Sequence, residues 1–254
     1  MAVTGVNRGR RAWIGMVAVI SLSLAGCTPA VDPNATQPLQ ASPVSSAPSV
    51  WTALDTATAR AAEASSYQVK VYVHARHGAT SGNLSVHGSI GADGAADFQV
   101  QAGRESYEVY RDGTGGYYAY QDTWHKLDHP LDLNWFAEYR NVLNWARAHD
   151  RRLSERPQKF VGGQFCRVYE VSLPATAWRR TDSFWGNAGN ARRAEGDTLF
   201  TFAVGIPDHL LHQVTTTQSV ASTGGATTLT TDVIFSNFND VPQVAAPSGL
   251  PAAK

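Results

Sequence analysis

The sequence predicts an α+β protein, a strongly curved antiparallel sheet wrapping a few α-helices. Three observations carry that expectation. From Tyr67 onward most of the chain alternates apolar and polar residues with a period of two, the signature of strands with one buried face. The strand-like segments are joined by short turns, which suit antiparallel neighbours and cannot accommodate parallel crossovers. Only one segment, Asp132 to His149, has a strongly amphipathic helical pattern. A sheet of this length must curl or pair to cover its apolar face. With so little helix available, curvature around the helices is the economical solution, and an aromatic-lined space between sheet and helix is a ligand cavity by default.

The elements follow in order. Val50, Leu54, Ala57, Ala61 and Ala64 recur at spacings of three and four in Ala-rich sequence, giving a first helix. Tyr67, Val69, Val71 and Val73 then alternate with Gln68, Lys70, Tyr72 and His74, so one face of this strand is apolar. Asn83 to Ala92 and Asp97 to Ala102 continue the alternation across the turn Ala92-Asp93-Gly94. Ser106 to Arg111 and Gly116 to Tyr120 flank Asp112-Gly113-Thr114-Gly115, a hairpin signal because Asp and Gly tolerate positive φ. Trp124 and Leu127 close this first meander. On a helical wheel of 132–149, Trp135, Phe136, Tyr139, Val142, Leu143 and Ala146 share one arc, and Trp145 falls off it. Pro157 is expected to break the chain before a strand from Gly163 to Leu173. Pro174 to Asn190 reads as a loop or short helices. Asp197 to Ile206, His209 to Val220 and Ala226 to Phe238 complete the strands, the last two Thr-rich as half-solvated strands often are.

Upstream, Arg8, Arg10 and Arg11 precede an apolar run from Ala12 to Gly26 that is shorter than the roughly 20 residues a membrane span needs. An ordinary secretory signal with a chance cysteine is one reading. Leu24-Ala25-Gly26-Cys27, however, resembles the lipobox of bacterial lipoproteins. That resemblance implies loss of residues 1–26, a lipid on Cys27, and anchoring on the extracytoplasmic face of the cell membrane. Residues 27–49, rich in Pro, Ser and Ala, read as a flexible tether, because they cannot bury enough apolar surface to offset their ordering entropy. One domain, 50–247, follows, with a short disordered tail over 248–254. Removal of the leader takes three arginines and no acid from a balance of 21 against 21, leaving 18 basic against 21 acidic residues and a formal charge of −3. That balance gives no sign of a nucleic-acid partner. With Cys27 acylated, Cys166 has no partner for an intramolecular disulfide, and its strand setting makes it a small buried hydrophobe.

A family resemblance rests on the succession of these pieces. Lipobox, polar tether, Ala-rich first helix, the strand from Tyr67 to His74, and Tyr110-Arg111-Asp112-Gly113 followed by Tyr117-Tyr118 and Trp124 come in the order seen in the LolA-like superfamily. So do Val161-Gly162-Gly163-Gln164-Phe165-Cys166, Ile206-Pro207-Asp208-His209-Leu210-Leu211 and Phe235-Ser236-Asn237-Phe238. More narrowly the chain resembles the actinobacterial LprG/LppX type of envelope lipoprotein. The resemblance covers about residues 50 to 247, through individual motifs of low specificity. It implies a half-barrel of about ten antiparallel strands, no catalytic residues and no cofactor. It also implies a cavity that shelters acyl chains of lipids, glycolipids or acylated proteins. The partners implied are the membrane, through the lipid on Cys27, a lipid or glycolipid ligand, and an envelope transporter. A non-carrier use of the same fold, as a protein-interaction or sensory module, stands beside that expectation. The segment from Trp178 to Arg193 is longer and more polar than the resemblance leads one to expect, and could gate or block the cavity.

Chemical motifs are sparse. His74/His77, His125/His129 and His209/His212 are close pairs without accompanying cysteines or dense acids, and read better as surface histidines than as metal ligands. There is no Gly-x-Ser-x-Gly and no Ser-x-x-Lys. Gly113-Thr114-Gly115-Gly116 lies in a hairpin, with no helix N-terminus to hold an anion. The basic run Arg147, Arg151, Arg152, Arg156 and Lys159 reads as a solvated helix end, with anionic lipid headgroups as the sharper alternative. Trp135, Phe136, Tyr139, Val142 and Leu143 are the candidate pocket-lining residues, core on one reading and cavity wall on the other.

Overall fold

A computed structural model describes residues 49–121, 123–128, 133–174, 177, 194–222 and 225–251. The chain from Ser46 to Lys254 forms one compact unit. Helix α1 spans Val50–Ala62, and the meander β1 (Tyr67–His77), β2 (Thr80–Ile90), β3 (Ala96–Ala102), β4 (Glu105–Asp112), β5 (Gly115–Tyr120) and β6 (Thr123–Lys126) follows. Helix α2 (Trp135–Ala148) interrupts, and β7 (Ser154–Val161), β8 (Gln164–Pro174), β9 (Ala194–Gly205), β10 (Leu211–Ser222) and β11 (Gly225–Ser236) complete the fold.

These make one curved, unclosed antiparallel sheet of eleven strands in the order β6-β5-β4-β3-β2-β1-β11-β10-β9-β8-β7. The α+β curved-sheet expectation holds, with eleven strands where about ten were expected. The first and last strands of the domain, β1 and β11, meet in the middle, nine residue pairs in register from Gln68↔Ser236 to Arg76↔Thr228. Helix α2 therefore connects one free edge, β6, to the other, β7. In a flat sheet those edges would lie about 48 Å apart, at about 4.8 Å per strand, whereas fourteen helical residues span about 21 Å. Curling brings the edges closer together and sets α2 in the concavity.

Local chemistry explains each helix. Ser49 caps α1, its hydroxyl accepting from the Thr52 N–H at 3.2 Å, and Leu54, Ala57, Thr58 and Ala61 bury one stripe. On α2 the buried residues are Trp135, Phe136, Tyr139, Val142, Leu143 and Ala146, the arc expected from the wheel. Trp145 is half-buried and stacks on His149 at 3.8 Å between ring centres.

Two expectations need correction. Pro157 does not end the pattern but lies inside β7, where the pairing with β8 shifts register between Arg156 and Lys159. A proline is tolerated there because β7 is an edge strand and the shift frees it from the ladder. The β4–β5 hairpin was assigned on positive φ, yet neither Gly113 nor Gly115 adopts one. Instead the Asp112 carboxylate accepts from the Thr114 N–H (2.7 Å), the Thr114 hydroxyl (2.6 Å) and the Gly115 N–H (3.2 Å). Pro174, expected to open a loop, is instead the last residue of β8; the rest of the expected loop to 190, the Trp178–Arg193 segment, Cys27 and the tether to Pro48 lie outside the described residues, Ala177 excepted.

Candidate functional site

The inner face of the sheet is built by strand alternation. Along β1, Tyr67, Val69 and Val71 are buried, and Val73, on the same face, is half-buried. The neighbouring strands repeat this gradient: Val86 and Ile90 on β2 are buried and Leu84 is not, and Phe98 on β3 is buried where Val100 is not. Val73 pairs with Leu84 across β1–β2, and Val86 with Val100 across β2–β3. Part of the concavity is therefore dry core, while Val73, Leu84, Val100 and Val109 pack on that core with part of their surface open.

The five candidate pocket residues all lie on the buried face of α2. Phe136 meets Phe235 at 4.6 Å between ring centres and Tyr67 edge-on at 5.3 Å, while Trp135 lies 6.5 Å from Phe235. Tyr139 stands edge-on to Phe202 at 6.4 Å. Val142 is 5% exposed and Leu143 fully buried. Offset and edge-on ring pairs of this kind fix the helix on the sheet. Burial pushes the Tyr67 hydroxyl up to about 12, Arg111 opposing, and pushes Tyr139 up as well, so both phenols stay neutral. Tyr67 donates to the Leu133 carbonyl at 3.4 Å. On β10, Gln218 is 8% exposed and its Oε1 is buried without a hydrogen-bond partner.

A polar cluster that the sequence did not reveal sits where β9 turns into β10. His212, read as a surface histidine, is buried, with Nε2 2.8 Å from Asp208 Oδ2 and Nδ1 3.2 Å from the Phe235 carbonyl. The Gln164 amide donates to the same carboxylate oxygen at 2.9 Å, and the Leu210 N–H donates to Oδ1 at 3.0 Å. Burial pushes the Asp208 carboxyl up, but these three donors outweigh it and hold it below the ordinary carboxylate value. Gly205 leaves room for the cluster, since a Cβ there would lie 2.1 Å from Asp208 Oδ1. Asp and His four residues apart, next to Gly, was the available signal; the positive φ of His209 and the register shift at Leu211/Gln213 concealed it.

Cys166, fully buried on the outer side with Val161 and Ala203, has its thiol pushed up to about 11 by burial. It is a packing residue and not an activated nucleophile. Among the described residues no group of three His, Cys, Asp or Glu is placed to hold a metal ion. Three side chains of the basic run are individually engaged. Arg147 pairs with Asp55 and lies 5.2 Å over Trp51, Arg151 lies 5.9 Å over Trp145, and Arg156 pairs with Glu170.

Among the described residues, then, an eleven-stranded open sheet curls round two helices and keeps a partly open apolar inner wall. Among solved structures the chain is similar to the lipoprotein LppX of Mycobacterium tuberculosis, with a TM-score of 0.50 at 13% identity over 77% of this chain and 97% of that one. LprF from Mycobacterium bovis gives 0.47 at 11% over 79% and 97%, and a LolA superfamily protein from Nitrosomonas europaea 0.32 at 10% over 77% and 96%. At these identities the likeness is one of fold. No family model and no curated protein sequence matches the chain.

Proposed function

We propose that this protein is a non-enzymatic, membrane-anchored lipoprotein of the cell envelope that binds an amphiphile in the concavity and carries or presents it. The observation that carries this reading is the gradient along the inner face. The sheet stays apolar through Val73, Leu84, Val100 and Val109, beyond the part that is fully buried. Apolar surface held open inside a curved sheet suits an acyl chain. Trp135, Phe136, Tyr139, Val142 and Leu143 form the fixed floor of that space, and the half-buried valines and Leu84 its wall. The name of LppX, a lipoprotein, is in line with the lipid-anchored part of this reading. Lipid on Cys27 supplies the anchor, and an envelope transporter is the partner that would hand over or receive the cargo.

Native mass spectrometry of residues 46–254 tests the cargo. Co-purifying or titrated lipid supports the reading, whereas a protein that neither carries nor takes up lipid refutes it and leaves the protein-interaction module. Replacing Cys27→Ser tests the anchor. The variant should leave the detergent phase in a partitioning assay, and full retention there would refute acylation of this residue.

A further inference from the structure

The most exposed large apolar side chains among the described residues are Phe160 and Phe165, at 64% and 61%. They are not scattered. They face each other across the β7–β8 hairpin as register partners, edge-on with ring centres 5.3 Å apart. The turn between them is Val161-Gly162-Gly163-Gln164, with φ of 58° and 92° at the two glycines, the tight geometry that matches strand twist. The aromatic pair is thus carried next to the turn at the end of the hairpin, with β9 alongside β8 as far as Phe165. The Ile206 N–H donates to the Phe165 carbonyl at 3.0 Å, which sets the part-exposed Ile206 and exposed Pro207 beside the rings. Arg167, exposed, is two residues from Phe165 on the same face of β8, whereas the half-buried Lys159, register partner of Cys166, lies on the opposite face near Asp232. Asp208, on the neighbouring β9–β10 turn, is engaged by His212 and Gln164.

We infer that the β7–β8 tip is a membrane-contact element that inserts Phe160 and Phe165 at an anionic lipid surface, with Arg167 at headgroup level. Area favours a bilayer over a protein. A phenylalanine buries at most roughly 150–250 Å², so the exposed parts of two rings offer on the order of 250 Å². That is well short of the roughly 800 Å² per partner of a stable protein interface. A bilayer needs no complementary pocket, and an exposed arginine beside an apolar patch is favoured at an anionic leaflet. A second copy pairing along the free edge is disfavoured by Pro157 and the register shift in β7. The contact is independent of both the Cys27 lipid and any cargo.

The test is flotation of residues 46–254 with phosphatidylglycerol vesicles and, separately, phosphatidylcholine vesicles. Binding to the former is expected, reduced by added salt and by roughly tenfold or more in F160S/F165S, because affinity scales with buried apolar area. Both rings are exposed, so the double variant should melt where the parent does and keep any lipid seen by native mass spectrometry. Absence of parent binding, or binding unchanged in the double variant, would overturn the inference. So would a parent dimer in light scattering that the double variant abolishes, since the rings would then serve a second copy. Loss of cargo with vesicle binding intact would count against the carrier reading alone.

Discussion

At the scale of single residues the most consequential arrangement is the Asp208 carboxylate, which receives the Leu210 N–H, the Gln164 amide and His212 within 3.0 Å. It ties the β9–β10 turn to the start of β8, and through the Nδ1 of His212 to the Phe235 carbonyl near the end of β11. Removing the charge leaves buried donors less well matched, at a cost of about 1–3 kcal/mol. Its lowered carboxyl value sets the sign of the pH effect. The stabilisation is present above the unfolded value of 3.8 and is lost as the pH falls through the lower folded value. In urea titrations, Asp208→Asn should therefore be less stable than the parent at neutral pH, with the gap closing in acid. A gap independent of pH would show that the carboxylate charge does not hold this turn. Apart from the four-residue spacing of Asp208 and His212, this was not legible in a sequence that offers His209 and His212 as a close pair. The ring of His212 is buried because β10 begins only at Leu211, after a residue in the left-handed region.

At the scale of elements, α2 was legible almost residue by residue, because a helix face is a local pattern and its buried arc follows from 3.6-residue periodicity alone. Its attachments differ sharply in weight. Val142 is 5% exposed against the sheet, and Val142→Asp places a carboxylate where it has no arranged partner. A loss of about 3 kcal/mol or more is expected, which for a domain of this size lowers Tm by about 6–12 °C. The Arg147–Asp55 pair joining α2 to α1 is 44% and 40% exposed, so Arg147→Ala should cost less than about 1 kcal/mol. Differential scanning calorimetry of both variants checks the ordering, and equal shifts would mean the helices are held by their ion pair rather than by their buried faces. The edge strand β7 was not legible, since Pro157 ordinarily marks a break and only the sheet context makes it harmless. The same blindness covered the hairpin tip. Phe160 and Phe165 look like ordinary strand aromatics until register places them together, exposed, at the end of the sheet.

For the molecule as a whole, curvature follows from topology, and topology was legible only through the order of the pieces. Alternation reveals that Val69, Val71, Val73, Val86 and Val100 face one way, but not how deeply each is covered. Depth depends on where α1 and α2 lie across a sheet whose central pair, β1 and β11, is about 160 residues apart in sequence. The five candidate residues on α2 could be placed on one face from sequence, yet whether a space adjoins them is decided by long-range packing. A pair of matched substitutions separates core from cargo wall. Val71 is fully buried, whereas Val100 sits on the same inner face with part of its surface open. Val71→Asp should destabilise the domain by about 3 kcal/mol or more, because a lone carboxylate in a dry core is costly. Val100→Asp leaves its charge access to water, so it should cost about 1 kcal/mol in stability while expelling acyl chains from the wall. The checking measurement is lipid occupancy by native mass spectrometry alongside the unfolding midpoint. A Val100→Asp protein that unfolds like the parent but is lipid-free would place the cargo against this wall. Full occupancy in a folded Val100→Asp protein would move the cargo elsewhere in the concavity and leave Val73, Leu84 and Val100 as the margin of the core.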